Sequence, residues 1–517
     1  MNNEVRGREW LVLGVLCIAA FLVAVDNTVV NVALPSLAGS LHASNSALQW
    51  IVDGYSLPFA GLLLAGGGLS DRLGRKLVMQ VALFGFGLFS LFAAFAHSVP
   101  ELLTARALMG ASAAFILPAT LSSLSVAFTN PSDRAKAFGV WGATAGIAIA
   151  VGPIAGGALL AHYWTGSIFL VNVPLALMGM AAIGLVVPES KSPVERDLDL
   201  VGLGLGTLGV TALVLAIIEG PSWGWRSTTT LGLFGLAALL VIAFARFELR
   251  RSGPLLDVRV FTNRVFSASA GAIATNFFCL FGFIFLTTQY FQLVRGYSAL
   301  SAGVHTLPFA LVVMVTTPLG AIAALRVGPR YVVTTGLVLT SIAMLWMATF
   351  SAQARFFGPV VGAMVVLATG FSFVNAPSTA ALMETLTPEQ IGAGASVNET
   401  TRELGGTMGV AIIGSVFASV FGPGVHRALA PFRAHGLSLA QLDTAQGSMQ
   451  AARMTVARFP TAYRPRLNQQ VVTAFMNGLH RGCLVAGATV MGVALLVFLN
   501  LPKISVEPGA SEVALLA

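Results

Sequence analysis

Charged residues are scarce in this sequence. Of its 517 residues only 10% are charged, while 56% are hydrophobic. An ordinary soluble domain has about 25% charged and about 45–50% apolar residues. A chain with so little charge cannot cover a soluble fold, and we predict an all-α integral membrane protein.

Several chemical groupings are also missing, and each absence excludes a class of function. The three cysteines, Cys17, Cys279 and Cys483, lie within or at the ends of apolar runs, at spacings that fit neither a metal site nor a disulfide, so we interpret them as packing residues. No Gly-x4-Gly-Lys-Ser/Thr motif is present, which argues against ATP as the energy source. No nucleophile–base pair or metal-ligand cluster is evident, so we expect neither an enzyme nor a bound cofactor.

What the chain does contain is long apolar runs. A helix needs roughly 17–25 such residues to cross a bilayer. The first run, 11–34, is too long for a signal-peptide core and lacks a clear cleavage site, so we interpret it as a retained helix. Thirteen more runs make fourteen predicted spans: 48–69, 77–96, 101–122, 137–160, 167–187, 200–219, 229–247, 265–290, 302–324, 331–350, 358–381, 393–420 and 477–500.

The basic residues indicate how these spans are oriented. With the N-terminus inside, 18 of the 29 Lys and Arg residues fall in cytoplasmic segments, and most of the others lie in one long outer segment. Cytoplasmic loops of membrane proteins carry such an excess. We therefore predict that both termini are cytoplasmic, and that the net charge of +8 reflects contact with anionic lipid rather than with nucleic acid.

A repeated loop indicates how the spans are grouped. "GLSDRLGRK" at 68–76 and "LRVGPR" at 325–330 both place Arg-x-Gly before a base, and weak internal symmetry is typical of repeat-built transporters. We predict a six-helix bundle in 1–190, a linker with two inserted spans in 191–262, and a second six-helix bundle in 263–517. The last includes a long extracellular segment, 421–479, which we expect to form helices over the outer mouth or, alternatively, a poorly ordered loop.

The first of these loops carries a family resemblance. "GGGLSDRLGRK" resembles the signature loop of the major facilitator superfamily, whose Asp and Arg form a cytoplasmic latch between the two bundles. The resemblance assigns that role to Gly68, Asp71, Arg72, Gly74 and Arg75. The alternative is an ordinary cluster of positive-inside charge.

Other motifs point to one branch of that family. "AVGPIAGG" at 150–157, with Gly152, Pro153, Gly156 and Gly157, resembles the "GPxxGG" helix of antiporters, although such glycines also serve ordinary helix packing. "AVDNTVVNVALP" at 24–35, "WIVDGYSLPFAG" at 50–61 and "WTGSIFLVNVPLAL" at 164–177 resemble the fourteen-helix drug:proton antiporters. The resemblance implies a major facilitator fold and exchange driven by a proton gradient.

Asp26 and Arg106 are charged residues within apolar runs. Burial favours the neutral form of a carboxyl group, so Asp26 is a candidate proton site; alternatively it is a structural residue, hydrogen-bonded to Asn27, Thr28 or Asn31. Arg106 carries a charge that costs about 2.5–3.5 kcal/mol at a helix centre on insertion scales, which calls for a partner in the bundle interior. It either faces that interior, where the family associates an arginine with proton transfer, or extends from a helix end to the membrane interface.

Two further acids open the thirteenth run. In "NETTRELGG" at 398–406, Glu399 and Glu403 lie four residues apart, on one helical face beside Arg402. The resemblance assigns them to cation recognition and proton coupling, and the alternative is a solvated helix start. Asp53 is placed near the outer end of the second run, and Glu219 is interpreted as an outer loop residue.

These motifs predict a proton-coupled antiporter, a monomer in the cytoplasmic membrane, that exports hydrophobic, cationic drugs, dyes or antibiotics. Proton coupling is assigned to Asp26, Arg106, Glu399 and Glu403. The residues expected to bind substrate are Asp26, Asp53, Glu399, Phe278 and Tyr290. The alternatives are an exporter of a lipid or specialised metabolite and a non-transporting receptor or scaffold.

Overall fold

The computed structural model describes residues 3–41, 43, 45–191, 199–251, 254, 256–435 and 437–502. Helices account for most of them, as expected for a chain in which every backbone polar group must be satisfied within lipid. The first bundle consists of α1 (Asn3–Ser40), α2 (Asn45–Leu73), α3 (Arg75–Ala94), α4 (Val99–Ala127), α5 (Pro131–His162), α6 (Ser167–Leu170) and α7 (Asn172–Val186).

Two helices follow the first bundle, α8 (Leu200–Trp223) and α9 (Thr228–Glu248). Asp199 caps α8 by accepting a hydrogen bond from the Gly202 amide at 2.8 Å. Helix α8 packs against α9 and also against α2 and a helix of the second bundle, α15 (Ile391–Leu429). The predicted linker segment "PESKSPVERDLD" lies largely outside the described residues.

The second bundle is built from a longer set of helices with several irregular turns. Phe357 and Gly358 have non-helical backbone angles and mark a kink before α14. Its remaining helices are α10 (Arg264–Gln289), α11 (Ala299–His305), α12 (Leu307–Val327), α13 (Pro329–Met347), α14 (Val361–Glu384), α16 (Leu439–Gly447), α17 (Met449–Val456) and α18 (Arg464–Asn500).

The number of spans agrees with the sequence prediction. Within the described ranges, fourteen helical segments are long and apolar enough to cross a membrane. Two of these spans are broken: α6 with α7 forms the sixth, and α11 with α12 forms the tenth. The predicted fold, two six-helix bundles with two inserted helices, is confirmed.

The long outer segment differs from its predicted limits. Helix α15 continues to Leu429 and α18 begins at Arg464, so both ends of the predicted segment 421–479 belong to membrane helices. Between them, α16 and α17 pack on each other and on α15 and α18 respectively, with Leu442, Met449 and Val456 buried. Two short helices therefore occupy the middle of this segment, and their buried apolar side chains hold them against α15 and α18.

The two repeated loops adopt the same backbone conformation. Gly74 has φ 113° and Gly328 has φ 89°, in the region that favours glycine because it has no Cβ. Each glycine separates two consecutive helices, α2 from α3 and α12 from α13. These loops define one end of the molecule, called the loop end below; the opposite end is called the far end.

The bundles contact each other at both ends. At the loop end, a Cβ added to Gly67 of α2 would lie 2.2 Å from the carbonyl oxygen of Gly392, and Ser396 donates a hydrogen bond to the Leu63 carbonyl at 2.7 Å. At the far end, a Cβ added to Gly303 of α11 would lie 2.5 Å from the Pro153 side chain of α5. Both seams are therefore closed in this conformation.

Candidate functional site

Asp26 and Arg106 form an ion pair inside the first bundle. Arg106 Nη1 of α4 lies 2.5 Å from Asp26 Oδ2 of α1, and each side chain is only 1% exposed. Arg106 therefore faces the bundle interior, and the alternative in which it extends to the membrane interface is wrong. Because a lone buried charge is costly, each of these residues depends on the other.

Three more helices hold this ion pair in place. Asn172 of α7 donates to Asp26 Oδ1 at 2.7 Å, and Ser90 of α3 lies 3.4 Å from the same amide nitrogen. On α2, the Ile51 carbonyl accepts from Arg106 Nε at 3.1 Å, and the Tyr55 ring lies 4.3 Å from the guanidinium carbon. Both oxygens of Asp26 are thus occupied by protein groups, which leaves no place for substrate in this conformation.

The polar neighbours that the sequence suggested for Asp26 have a different arrangement. Thr28 donates to the carbonyls of Val25, at 2.9 Å, and Ala148, at 3.2 Å. The side chain of Asn31 lies outside the described part of the chain. The amide that binds Asp26 is instead that of Asn172. In the sequence its only signal is a lone Asn within the apolar run at 167–187.

Glu399 and Arg402 form a second buried ion pair, in the second bundle. Arg402 Nη1 lies 3.4 Å from Glu399 Oε1, and Asn398 donates to the same oxygen at 2.8 Å. Arg402 also donates to Asn375, at 3.0 Å, and Thr379, at 3.2 Å, both on α14. Glu399 is 4% exposed, so the alternative of a solvated helix start is wrong.

Aromatic rings from both bundles surround Arg402. Its guanidinium carbon lies 4.8 Å from the ring centre of Trp141 on α5 and 5.2 Å from that of Phe277 on α10. Phe278, which the sequence analysis assigned to substrate, is buried where the α10 backbone meets Gly409 of α15. Phe277, its neighbour in sequence, is the residue whose ring lies against the Arg402 guanidinium.

Glu403 joins the two bundles. It is one turn beyond Glu399 on α15, lies beside the Ser56 side chain of α2, and interacts electrostatically with Glu399 and Asp53. Asp53, also on α2, lies beside the Gln49 side chain, while its Oδ2 is buried without a hydrogen-bond partner among the described residues. Three carboxyl groups therefore gather where α2 meets α15.

A fourth acid approaches this group from the inserted helix. Glu219 lies on α8, is 6% exposed and interacts electrostatically with Asp53. Its Oε2 accepts a hydrogen bond from Ser222 at 2.7 Å. The interpretation of Glu219 as an outer loop residue is therefore wrong, because α8 extends four residues beyond it and packs against α2.

Tyr290 lies in a different part of the second bundle. Its hydroxyl donates to the Ser351 carbonyl at 3.2 Å, and its ring lines a small apolar cavity with Phe283, Met347, Phe350 and Leu479. The structure thus brings Asp53, Glu399 and Glu403 into one region and places Tyr290 in another.

The signature loop is held by contacts within and between the bundles. Arg75 pairs with Asp71 at 2.6 Å, and the Asp71 carboxylate lies against Gly392 at the start of α15. Arg72 is exposed. The tight helix approaches in this stretch occur at Gly66 and Gly67, just before the predicted Gly68.

The glycine-rich stretch of α5 contacts both bundles. A Cβ on Gly152 would lie 1.9 Å from Thr28 Oγ1, and one on Gly156 would lie 3.2 Å from Val29, both on α1. On its other side, Gly157 faces Leu300 and Pro153 faces Gly303, both on α11. These residues form the far-end seam.

Comparison with known sequences agrees with this geometry. Residues 16–410 match the Major Facilitator Superfamily. The multidrug efflux pump LfrA of Mycolicibacterium smegmatis is 34% identical, over 95% of this chain and 96% of its own. The methyl viologen resistance protein SmvA of Salmonella typhimurium is 32% identical over 96% and 99%, and the tetracenomycin C resistance and export protein of Streptomyces glaucescens is 29% identical over 99% and 95%.

Solved structures share the fold at low sequence identity. The human organic anion transporter MFSD10 aligns with a TM-score of 0.62 and 16% identity, over 95% of this chain and 99% of its own. The proton:xylose symporter XylE aligns with a TM-score of 0.63 and 14% identity, over 96% and 97%. At these identities the likeness establishes the arrangement of helices.

Proposed function

The chain belongs to the major facilitator superfamily, and we propose that it exports hydrophobic organic cations across the cytoplasmic membrane in exchange for protons. The loop end then faces the cytoplasm, with both termini on that side, as the basic residues favour. Protons and a small amphipathic molecule are its partners, the protein acts as a monomer, and the proton gradient takes the place of a cofactor.

The observation that carries this proposal is the position of Glu403. Its carboxyl group belongs to the second bundle but lies beside Ser56 and near Asp53 of the first. The surroundings of a group that lies between two bundles change when the bundles move apart. It is therefore suited to exchange a proton on one side and a cation on the other.

The surroundings of Arg402 support a cationic substrate. The guanidinium, a planar cation, already lies against the faces of Trp141 and Phe277. Aromatic faces attract such cations, by about 0.5–2 kcal/mol depending on exposure. A flat aromatic cation can use the same faces when the bundles separate, with Glu399 and Glu403 supplying the negative charge.

Proton exchange follows if proton and substrate compete. A protonated Glu403 does not attract a cation, so a state loaded with protons from outside releases substrate, and a state deprotonated in the cytoplasm binds it; linkage makes the effect reciprocal. Each proton that moves inward through 100 mV contributes about 2.3 kcal/mol, which offsets the equal cost of moving a monovalent cation outward, so accumulation against a gradient is driven by the pH difference or by a second proton. In this scheme the Asp26–Arg106 pair is a second proton site, available once the ion pair opens.

A second candidate is the export of a specialised metabolite. The relative from Streptomyces glaucescens is an export protein for tetracenomycin C. Its name favours this alternative over a lipid exporter or a receptor. A panel of cationic dyes and neutral polycyclic antibiotics, tested for resistance in the same cells, separates the two candidates.

The direct test is efflux of ethidium from cells that express the wild type, Asp26→Asn or Glu403→Gln, with and without an uncoupler. We expect wild-type efflux to stop with the uncoupler and both variants to lose most activity at equal expression. Asp443→Asn is the matched control, because it removes one exposed carboxylate on α16. Efflux that persists with the uncoupler would exclude proton coupling, and full activity of Glu403→Gln would remove this residue from the mechanism.

A further inference from the structure

Tyr55 is a buried residue to which the exchange scheme assigns no role. Its side chain is 0% exposed, and its hydroxyl has no hydrogen-bond partner among the described residues. Leaving a buried polar group unpaired is unfavourable, because the group loses its hydrogen bonds to water and gains none in the protein. A hydroxyl kept at this cost calls for a partner in another state of the protein.

The position of Tyr55 identifies that partner. Its ring lies against the Arg106 guanidinium, at 4.3 Å. The next residue on α2, Ser56, lies beside Glu403 of α15. The charged groups that act on the Tyr55 hydroxyl are Asp26 on α1, Arg106 on α4 and Glu403 on α15. Tyr55 thus lies between the buried ion pair of the first bundle and the acid shared by both bundles.

We propose that Tyr55 is a positioning residue that couples the two acid sites, with its hydroxyl donating to the Glu403 carboxylate when that acid is ionised and its ring resting on Arg106. This inference rests on the proposed function. It adds a link between Asp26 and Glu403, which are otherwise separate proton sites.

The sign of the coupling follows from charge. When Asp26 is protonated, the positive charge of Arg106 is no longer balanced, and the negative face of the Tyr55 ring interacts with it. Negative charge at Glu403, at the hydroxyl end of the same side chain, is then favoured. A proton gained at Asp26 therefore promotes the loss of one at Glu403, so that the two sites tend to hold one proton between them.

The test is binding of tetraphenylphosphonium to the purified full-length protein between pH 5 and pH 9. In the wild type, we expect binding to strengthen with rising pH, as Glu403 loses its proton. Tyr55→Phe removes the hydrogen-bond donor and keeps the ring, so the ionised form of Glu403 loses a stabilising contact. The midpoint of the pH dependence should therefore rise by about one pH unit, which is a tenfold change in proton affinity and is expected for a hydrogen bond to a charged group. Asp26→Asn should lower the midpoint, because the positive charge of Arg106 is left unpaired. The same substitution made in the Tyr55→Phe protein should lower the midpoint by less.

A structural role for Tyr55 gives a different result. Tyr55→Phe removes a buried hydroxyl that has no partner among the described residues, so the unfolding temperature of the variant should equal or exceed that of the wild type. A lower unfolding temperature would indicate a structural role for the hydroxyl and would oppose the proposal. An unchanged midpoint, equal weakening of binding at every pH, or an Asp26→Asn shift that is the same with and without the hydroxyl would each overturn it. Tyr331→Phe, at an exposed tyrosine on α13, controls for loss of a phenol. Wild-type binding that does not depend on pH would instead count against proton-coupled export itself.

Discussion

At the scale of the residue, the chain buries both charges of the Asp26–Arg106 pair almost completely. Burial of an ion pair is weak evidence for stability, because the loss of hydration offsets the attraction between the charges. In the exchange that we propose, one partner of this pair has to become neutral. Asp26 can do this by taking up a proton, whereas Arg106 keeps its charge.

A double-mutant cycle tests this dependence. Asp26→Asn leaves Arg106 charged and buried, which we expect to cost about 3–5 kcal/mol, whereas Asp26→Asn/Arg106→Gln leaves two neutral groups. The double variant should therefore unfold at a higher temperature than Asp26→Asn, as measured by the tryptophan fluorescence of the purified proteins during heating. Efflux by the double variant should remain absent. Additive losses in the double variant would show that the two residues act independently.

The sequence singled out charged residues that the structure places inside the bundles, but it did not indicate their partners. Asp26, Arg106, Glu399 and Glu403 stand out because charge is rare in apolar runs. The choice between Phe277 and Phe278 needs the rotation of α10 about its axis, since consecutive residues differ by about 100° around a helix. Glu219 was misplaced because the end of an apolar run predicts a helix end only to within a few residues.

At the scale of the element, α15 connects the loop-end seam to the acid site. Gly392 and Ser396, near its start, lie against α2, and Glu399 and Glu403 follow on the next two turns. A rigid helix transmits a displacement at its start to the residues further along. Opening of the loop-end seam therefore changes the surroundings of Glu403.

Gly67→Ala should open this seam. Its Cβ would lie 2.2 Å from the Gly392 carbonyl oxygen and 2.1 Å from Ser396 Oγ, and neither helix backbone can yield without separating. In a variant with Ser396→Cys as the only cysteine, we expect Gly67→Ala to raise the rate of maleimide labelling by about tenfold, which corresponds to about 1.4 kcal/mol.

Gly204→Ala is the control for Gly67→Ala, because no atom lies within 4 Å of the added Cβ on α8. Its labelling rate should equal that of the parent. Slow labelling in both glycine variants would mean that the seam tolerates the methyl group and that Gly67 is not needed for closure.

Hydropathy predicted the spans because each apolar run must be a helix in lipid, and the glycine of each repeated loop predicted where helices break. The packing of α8 on α2 and α15 was beyond such reasoning. An apolar helix has no polar face to orient it, and its place is decided by small contacts such as that between Gly61 and Thr211.

At the scale of the whole molecule, alternating access requires the far-end seam to open. A Cβ added to Gly157 of α5 would lie 3.2 Å from the Leu300 Cβ of α11, close to the roughly 3.5–4.5 Å found in disulfides. Gly157→Cys/Leu300→Cys, with the native cysteines replaced by Ala, should therefore form a disulfide between the bundles on mild oxidation. We expect efflux to stop when it forms and to return with a reductant.

The single-cysteine variants, treated with the same oxidant, serve as controls and should keep their efflux. Transport by a population in which mass spectrometry finds the disulfide complete would mean that the bundles do not separate at this seam.

The packing of α8 across α2 and α15 has a consequence for the route by which a substrate arrives. A hydrophobic cation dissolves in the membrane before it meets the protein, and the gap between α2 and α15 is one of the two places where the bundles adjoin. Helix α8 covers that gap, with Val210 and Val214 of α8 buried against Ala60 of α2. For an exporter that takes its substrate from the bilayer, lateral entry is therefore left only at the other flank, where α5 meets α12.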